Sequence, residues 1–143
     1  MFIPRWIARL ARRWTGGRLL GDRGERTAAR YLKRQGMRIL AHGHRSQLGE
    51  VDLIALDGST VVFVEVKSRR THAAGRPEDA VNRAKQRQLT RLALEYLKRR
   101  GWLGRRSARF DIVAITWPDS ESEPAIQHFR NAFEPTGVDG MFS

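Results

Sequence analysis

Gly49-Glu50-Val51-Asp52-Leu53-Ile54-Ala55-Leu56-Asp57-Gly58-Ser59-Thr60-Val61-Val62-Phe63-Val64-Glu65-Val66-Lys67 is the stretch that decides the fold. Two apolar runs rich in β-branched residues flank Asp57-Gly58-Ser59-Thr60, the chemistry of a β-hairpin. Side chains alternate across a strand, so Val61, Phe63, Glu65 and Lys67 share one face. That face turns from apolar to charged in a single step. If the loop is Asp57 and Gly58, Glu65 lies opposite Glu50 and Asp52 is diagonal to it. If the loop is Asp57 to Thr60, Asp52 lies directly opposite Glu65. Either even-numbered loop puts Asp52, Glu65 and Lys67 on one face. Val51, Leu53, Ala55, Val62, Val64 and Val66 then form the other, apolar face.

Carboxylates held this close repel one another and need a cation or a shared proton. An all-oxygen ligand set favours Mg²⁺ or Mn²⁺ over Zn²⁺. Such a cation polarises a phosphoryl oxygen and acidifies a bound water. Lys67 would then orient that water or offset charge developing on the phosphate. An ordinary cross-strand salt bridge on a solvated sheet face has the same residue types, and the residues alone leave both readings open.

Charge bears on the partner. The 143 residues suit one domain, and 27 Lys plus Arg stand against 15 acids, a formal net charge of +12. That balance fits a polyanion: DNA, RNA or an anionic membrane. There is no cysteine, which excludes disulfides and thiolate metal sites. No apolar run approaches the roughly 18 residues of a spanning helix. In Met1–Trp14, Ile3, Trp6, Ile7, Leu10 and Trp14 form a helical stripe with Arg5, Arg9, Arg12 and Arg13 between. That is an interfacial membrane helix, a basic arm for nucleic acid, or a terminal helix packed on the domain. Its arginines interrupt any secretory apolar core, and a cytoplasmic location is expected.

Outward from the hairpin, helices are expected at about Asp22–Gln35, stopped by Gly36, and from Pro77 to about Arg99. Strands are expected at about Met37–Arg45, Glu50–Leu56, Val61–Lys67 and Phe110–Trp117, with a short last strand at Ile126–Phe129. The order α-β-β-β-α-β makes an α/β domain with a mixed sheet flanked by helices. Residues 1–20 form a basic amphipathic arm, 21–133 the domain, and 134–143 an irregular tail.

Asp52 on one strand followed by Glu65-Val66-Lys67 on the next resembles the PD-(D/E)XK nuclease signature, with Val51 where that name has proline. A longer set closely resembles the YraN-like bacterial family, itself similar to archaeal Holliday-junction resolvases. It comprises Gly24-Glu25, Ala28, Tyr31-Leu32, Gly36, Ile39-Leu40, Arg45, Gly49 to Ala55, Val62 to Arg69, Lys85, Arg109-Phe110-Asp111 and Asn131-Ala132-Phe133. Gly43 stands where the family usually has Asn. The resemblance implies a restriction-endonuclease-like core. It implies that Glu25, Asp52 and Glu65 surround a metal, Mg²⁺ or Mn²⁺, with Lys67 as the catalytic lysine. The expected activity is endonucleolytic hydrolysis of structured or branched DNA, for which a homodimer would be suited. The alternatives are a non-catalytic nucleic-acid-binding module of the same fold and a membrane-surface protein using the first helix.

Several residues carry a second reading. Glu25 completes a capping box with Asp22 as N-cap, a role exclusive of metal binding at any moment. Glu50 is an outer ligand or the partner of Arg45. Lys85 and Gln88 interrupt the apolar stripe of the long helix, so they overlook the site or reach to solvent. Asp111 is expected to pair with a neighbouring arginine, and His42 and His44 to bind no metal. Arg45, Arg69, Arg70 and Arg76, together with Lys85 and Gln88, are the candidate nucleic-acid contacts. Lys98, Arg99, Arg100, Arg105 and Arg106 form a basic surface that is either another contact or simply solvated.

Overall fold

The computed structural model describes residues 17–70, 81–118 and 123–137. Its elements are α1 (Gly17–Arg34), β1 (Arg38–Ser46), β2 (Gly49–Asp57), β3 (Thr60–Arg69), α2 (Arg83–Arg99), β4 (Ala108–Thr116) and β5 (Ala125–Phe133). The Met1–Trp14 stripe and Arg76 lie outside the described residues, as does the end of the tail. The five strands form one sheet in the order β1-β2-β3-β4-β5. All neighbours are antiparallel except β3 and β4, which run parallel with α2 as the crossover. No helix among the described residues is long and apolar enough to cross a membrane.

The hairpin fixes this frame. β2 and β3 pair Leu56 with Val61 and Asp57 with Thr60, so Gly58-Ser59 is the connection and the register is even. Val62 and Val64, with Leu53 and Ala55, pack against Ala28, Ala29 and Leu32 of α1. Val61, Phe63 and Ile54 pack against Leu89, Leu92, Ala93 and Leu97 of α2. The sheet is therefore covered on both faces, and its central strands are buried.

Four local expectations are corrected. Val51 does not share the face of Leu53; it packs with the α2 cluster. The regular β2–β3 pairs end at Leu53 and Val64, and beyond them the strict alternation of β2 lapses. α1 begins by Gly17, not Asp22, so Asp22 lies inside the helix and is not an N-cap. The capping box that competed for Glu25 is thus gone. The second helix starts at Arg83, not Pro77, because Asn82 caps it by accepting the Lys85 amide at 2.9 Å. β5 is nine residues long rather than four. Its polar residues suit an edge strand, and Asn131, at φ +49°, marks an irregularity in its pairing with β4.

α1 does stop where Gly36 requires. Gly36 takes φ +92°, and the Met37 amide returns to the Leu32 carbonyl at 3.0 Å. That turn delivers the chain to β1 and fixes the end of α1 against the sheet.

Candidate metal centre

Asp52 is the pivot of the site. Its side chain is buried, and Oδ2 accepts the Val66 amide at 2.8 Å. The Asp52 carboxylate thus occupies the position where the next β2–β3 ladder bond would form. The two strands stay tied through a side chain instead of two backbones. The other carboxylate oxygen keeps its lone pairs for a further partner.

Glu25 on α1 and Glu50 on β2 converge with Asp52. One carboxylate oxygen from each lies within 4.8 Å of the others. Oxygens on opposite sides of one Mg²⁺ at about 2.1 Å are about 4.2 Å apart. Neighbouring oxygens on an octahedral ion are about 3.0 Å apart, so the group would contract by up to about 1.8 Å to grip it. Three carboxylates and no nitrogen or sulfur donor suit a hard cation of the Mg²⁺ or Mn²⁺ class. Glu50 Oε2 also lies 3.5 Å from Arg45 Nε, the ion pair weighed for it.

Glu65 is not part of this group of three. Its side chain is 2 % exposed, 3.9 Å from Lys67 Nζ and 3.8 Å from Lys85 Nζ. Glu65 and Lys67 thus share a face, as alternation requires, and α2 adds a second ammonium from above it. Lys67 remains a third exposed, so it faces both Glu65 and solvent. Lys85 is more enclosed, at 16 %. The site is then two adjoining charge clusters, one anionic and one in which two ammoniums surround a carboxylate. The Val66 amide, between Glu65 and Lys67 in the chain and bound by Asp52, joins them.

The remaining candidates divide by what holds them. Gln88 donates to the Leu48 carbonyl at 3.1 Å and packs on Gly49; it braces the β1–β2 turn next to Glu50. Arg70 is exposed at the end of the described β3 segment, and Arg69 is partly buried there, its carbonyl accepting the Trp117 amide at 2.7 Å. Asp111 pairs with Arg109 as expected, at 3.0 Å. It also accepts from His128 at 2.8 Å and from the Asn131 amide at 2.9 Å. Burial alone would raise its pKa, but the hydrogen bonds of His128, Arg109 and the Asn131 amide outweigh it and lower the pKa. Neither His42 nor His44 belongs to the group that could hold a metal.

A model of the uncharacterised protein family UPF0102 matches residues 24–115. The chain belongs to this family. The UPF0102 chain is 50% identical over 117 residues to a UPF0102 protein of Geobacter sulfurreducens, covering 82% of this chain and 90% of that one. It is 44% identical over 126 residues to one of Rhodopirellula baltica, covering 86% and 75%. A third, from Trichlorobacter lovleyi, is 46% identical over 120 residues, covering 83% and 93%. The YraN-like resemblance is borne out at the level of the family. The segment matched by the UPF0102 model contains Glu25, Glu50, Asp52, Glu65, Lys67 and Lys85. Glu65 stands outside the acid group, whereas Glu50, weighed as an outer ligand, stands within it. The i, i+2 spacing of Glu50 from Asp52 was the available signal.

Proposed function

We propose that this UPF0102 protein is a metal-dependent endonuclease of the PD-(D/E)XK type, with a restriction-endonuclease-like core, acting on structured or branched DNA. The observation that carries the reading is the convergence of Glu25, Glu50 and Asp52 from two elements beside Glu65 and Lys67. A salt bridge on a solvated strand face needs neither three buried or half-buried carboxylates nor a ligand reaching in from a helix.

Glu25, Glu50 and Asp52 would hold Mg²⁺ or Mn²⁺. When bound, the ion supplies positive charge toward a phosphoryl oxygen and makes water more acidic. The chain's own residues do the rest. Asp52 keeps its orientation through the Val66 amide. Glu65 holds the Lys67 and Lys85 ammoniums within 4 Å and so acts as a positioning residue. Lys67, partly exposed, donates to the incoming water or to the phosphate oxygen on which charge grows. Hydrolysis adds that water across one P–O bond, and Lys85 adds a second positive charge behind Lys67.

Cleavage of a panel of branched and linear DNAs in Mg²⁺ and Mn²⁺ tests the proposal, using wild type, Glu65→Ala and Lys67→Ala. Removing one such electrostatic donor costs about 10²–10³-fold in rate, so Lys67→Ala should fall by that factor. Equal cleavage by all three would trace the activity to a contaminant or another site. Tight binding of branched DNA without cleavage at any cation concentration would make the protein a non-catalytic module.

A further inference from the structure

α1 carries a second feature that the acid group does not use. Arg23, Thr27, Arg30 and Arg34 follow at i, i+4, i+7 and i+11, so they form one stripe along the helix. The stripe lines a cleft of about 330 Å³, closed on its other side by Trp117, Pro124 and Ile126. The Arg23 guanidinium lies over the Trp117 ring, 4.0 Å from guanidinium carbon to ring centre. This cation–π contact holds the guanidinium at the cleft wall. Three guanidiniums in the lining face a single carboxylate, Glu123.

The cleft opens beside the candidate metal centre. Trp117 donates its indole N–H to the Ser68 hydroxyl at 3.4 Å, one residue beyond Lys67. Gly24, the neighbour of Glu25, packs on the same Ser68 side chain. Ser68 points to the α1 face, opposite Lys67, so the cleft meets the metal centre at Gly24-Glu25. A strand leaving Glu25 meets Arg23 first, then Arg30 and Arg34. From Arg23 to Arg34 the helix rises about 16 Å. Nucleic acid carries about one phosphate per 3.4 Å of axis on each strand, so about five phosphates span that length.

We propose that this cleft is a track for the phosphodiester backbone, which seats the non-scissile arm of a nucleic acid and leads its strand toward Glu25 and the acid group. The inference rests on the nucleic-acid part of the reading above, not on catalysis. Forked guanidiniums suit phosphate oxygens, and contacts of this kind give affinity and register with little sequence preference.

Fluorescence anisotropy on a short DNA duplex in EDTA, across a salt series, tests it. Three proteins are compared: wild type, the triple variant Arg23→Ala, Arg30→Ala, Arg34→Ala, and a charge-matched triple of exposed arginines, Arg38→Ala, Arg91→Ala, Arg130→Ala. Matched melting temperatures show that all are folded. Three lost phosphate contacts flatten the log K against log[salt] slope by about 2.7. The gap between wild type and the α1 triple should therefore shrink about 40-fold from 50 to 200 mM salt. The charge-matched triple should keep the wild-type slope. Equal losses in both triples would mean diffuse charge and overturn the track. So would a wild type that binds no duplex, or an α1 triple that loses only phosphatidylserine vesicles. The assay contains no divalent cation, so its outcome and that of the cleavage test are independent.

Discussion

Truncating Asp111 to alanine should be among the most destabilising single changes in the domain, although Asp111 lies outside the acid group. Its carboxylate is buried and receives Arg109 Nε at 3.0 Å, Arg109 Nη2 at 3.3 Å, His128 at 2.8 Å and the Asn131 amide at 2.9 Å. These bonds tie β4 to the irregular part of β5, where Asn131 sits at positive φ. Arg109 would keep Asp57, at 2.9 Å. His128, with a nearly buried side chain, and the Asn131 amide would lose their acceptor. Each buried donor left unmade costs about 1–3 kcal/mol, and loss of a buried charge partner costs about 3–5 kcal/mol. We expect about 3–5 kcal/mol, or on the order of 10–20 °C in melting temperature for a domain of this size. Urea unfolding measures it: the midpoint should fall while the slope holds. The pH dependence is a second arm. The folded pKa of Asp111 lies below its unfolded value, so its contribution is complete above the unfolded carboxylate range, about pH 4, and fades as pH falls through the folded value. Wild type and Asp111→Ala should therefore converge in strong acid. An Asp111→Ala midpoint equivalent to a loss below about 1 kcal/mol, or a gap that widens in acid, would refute the reasoning.

Two further outcomes follow from the same geometry. Gly49→Ala should cost about 2 kcal/mol or more, since Gly49 takes φ +137° and a methyl there collides with the Gln88 amide; a urea midpoint at or above wild type would contradict this. His44 has its pKa lowered, first by burial and then by Arg100 and Arg99 against the opposing pull of Glu95. Its folded form resists protonation, so stability should decline as pH falls through about 6.5, the unfolded value. His44→Gln should remove that part of the decline, and an unchanged pH profile would exclude it.

The hairpin was legible because its signals agree: β-branched runs, a turn between them and one alternating face. The turn leaves two even registers open, and the pairing of Leu56 with Val61 and Asp57 with Thr60 is the one that, continued, aligns Asp52 with Glu65. Glu65 and Lys67 share their face through strand alternation. What alternation does not encode is the end of the ladder. Asp52 uses a side-chain oxygen where a carbonyl would sit, and from there Val51 turns to the α2 cluster and Glu50 to Glu25. The helix starts were misread for a local reason. Asp22 and Pro77 are both good openers by residue type. The chain opens α2 instead at Asn82, and α1 is already helical before Asp22. β5 was read short because Gln127, His128, Arg130 and Asn131 are polar. An edge strand pairs through its backbone on one side only and tolerates them.

A metal centre here requires that Glu25, Glu50 and Asp52 act together on a cation. Calorimetric titration of Mn²⁺ into wild type, Asp52→Asn and Glu50→Gln, with DNA absent, reads this directly. Asp52→Asn keeps an oxygen for the Val66 amide, so the fold should persist while the charge is lost. Wild type should bind one Mn²⁺ per chain, and each variant should lose at least about tenfold, 1.4 kcal/mol, in affinity. Undiminished Mn²⁺ affinity in both folded variants, or no binding by wild type, would contradict the metal centre.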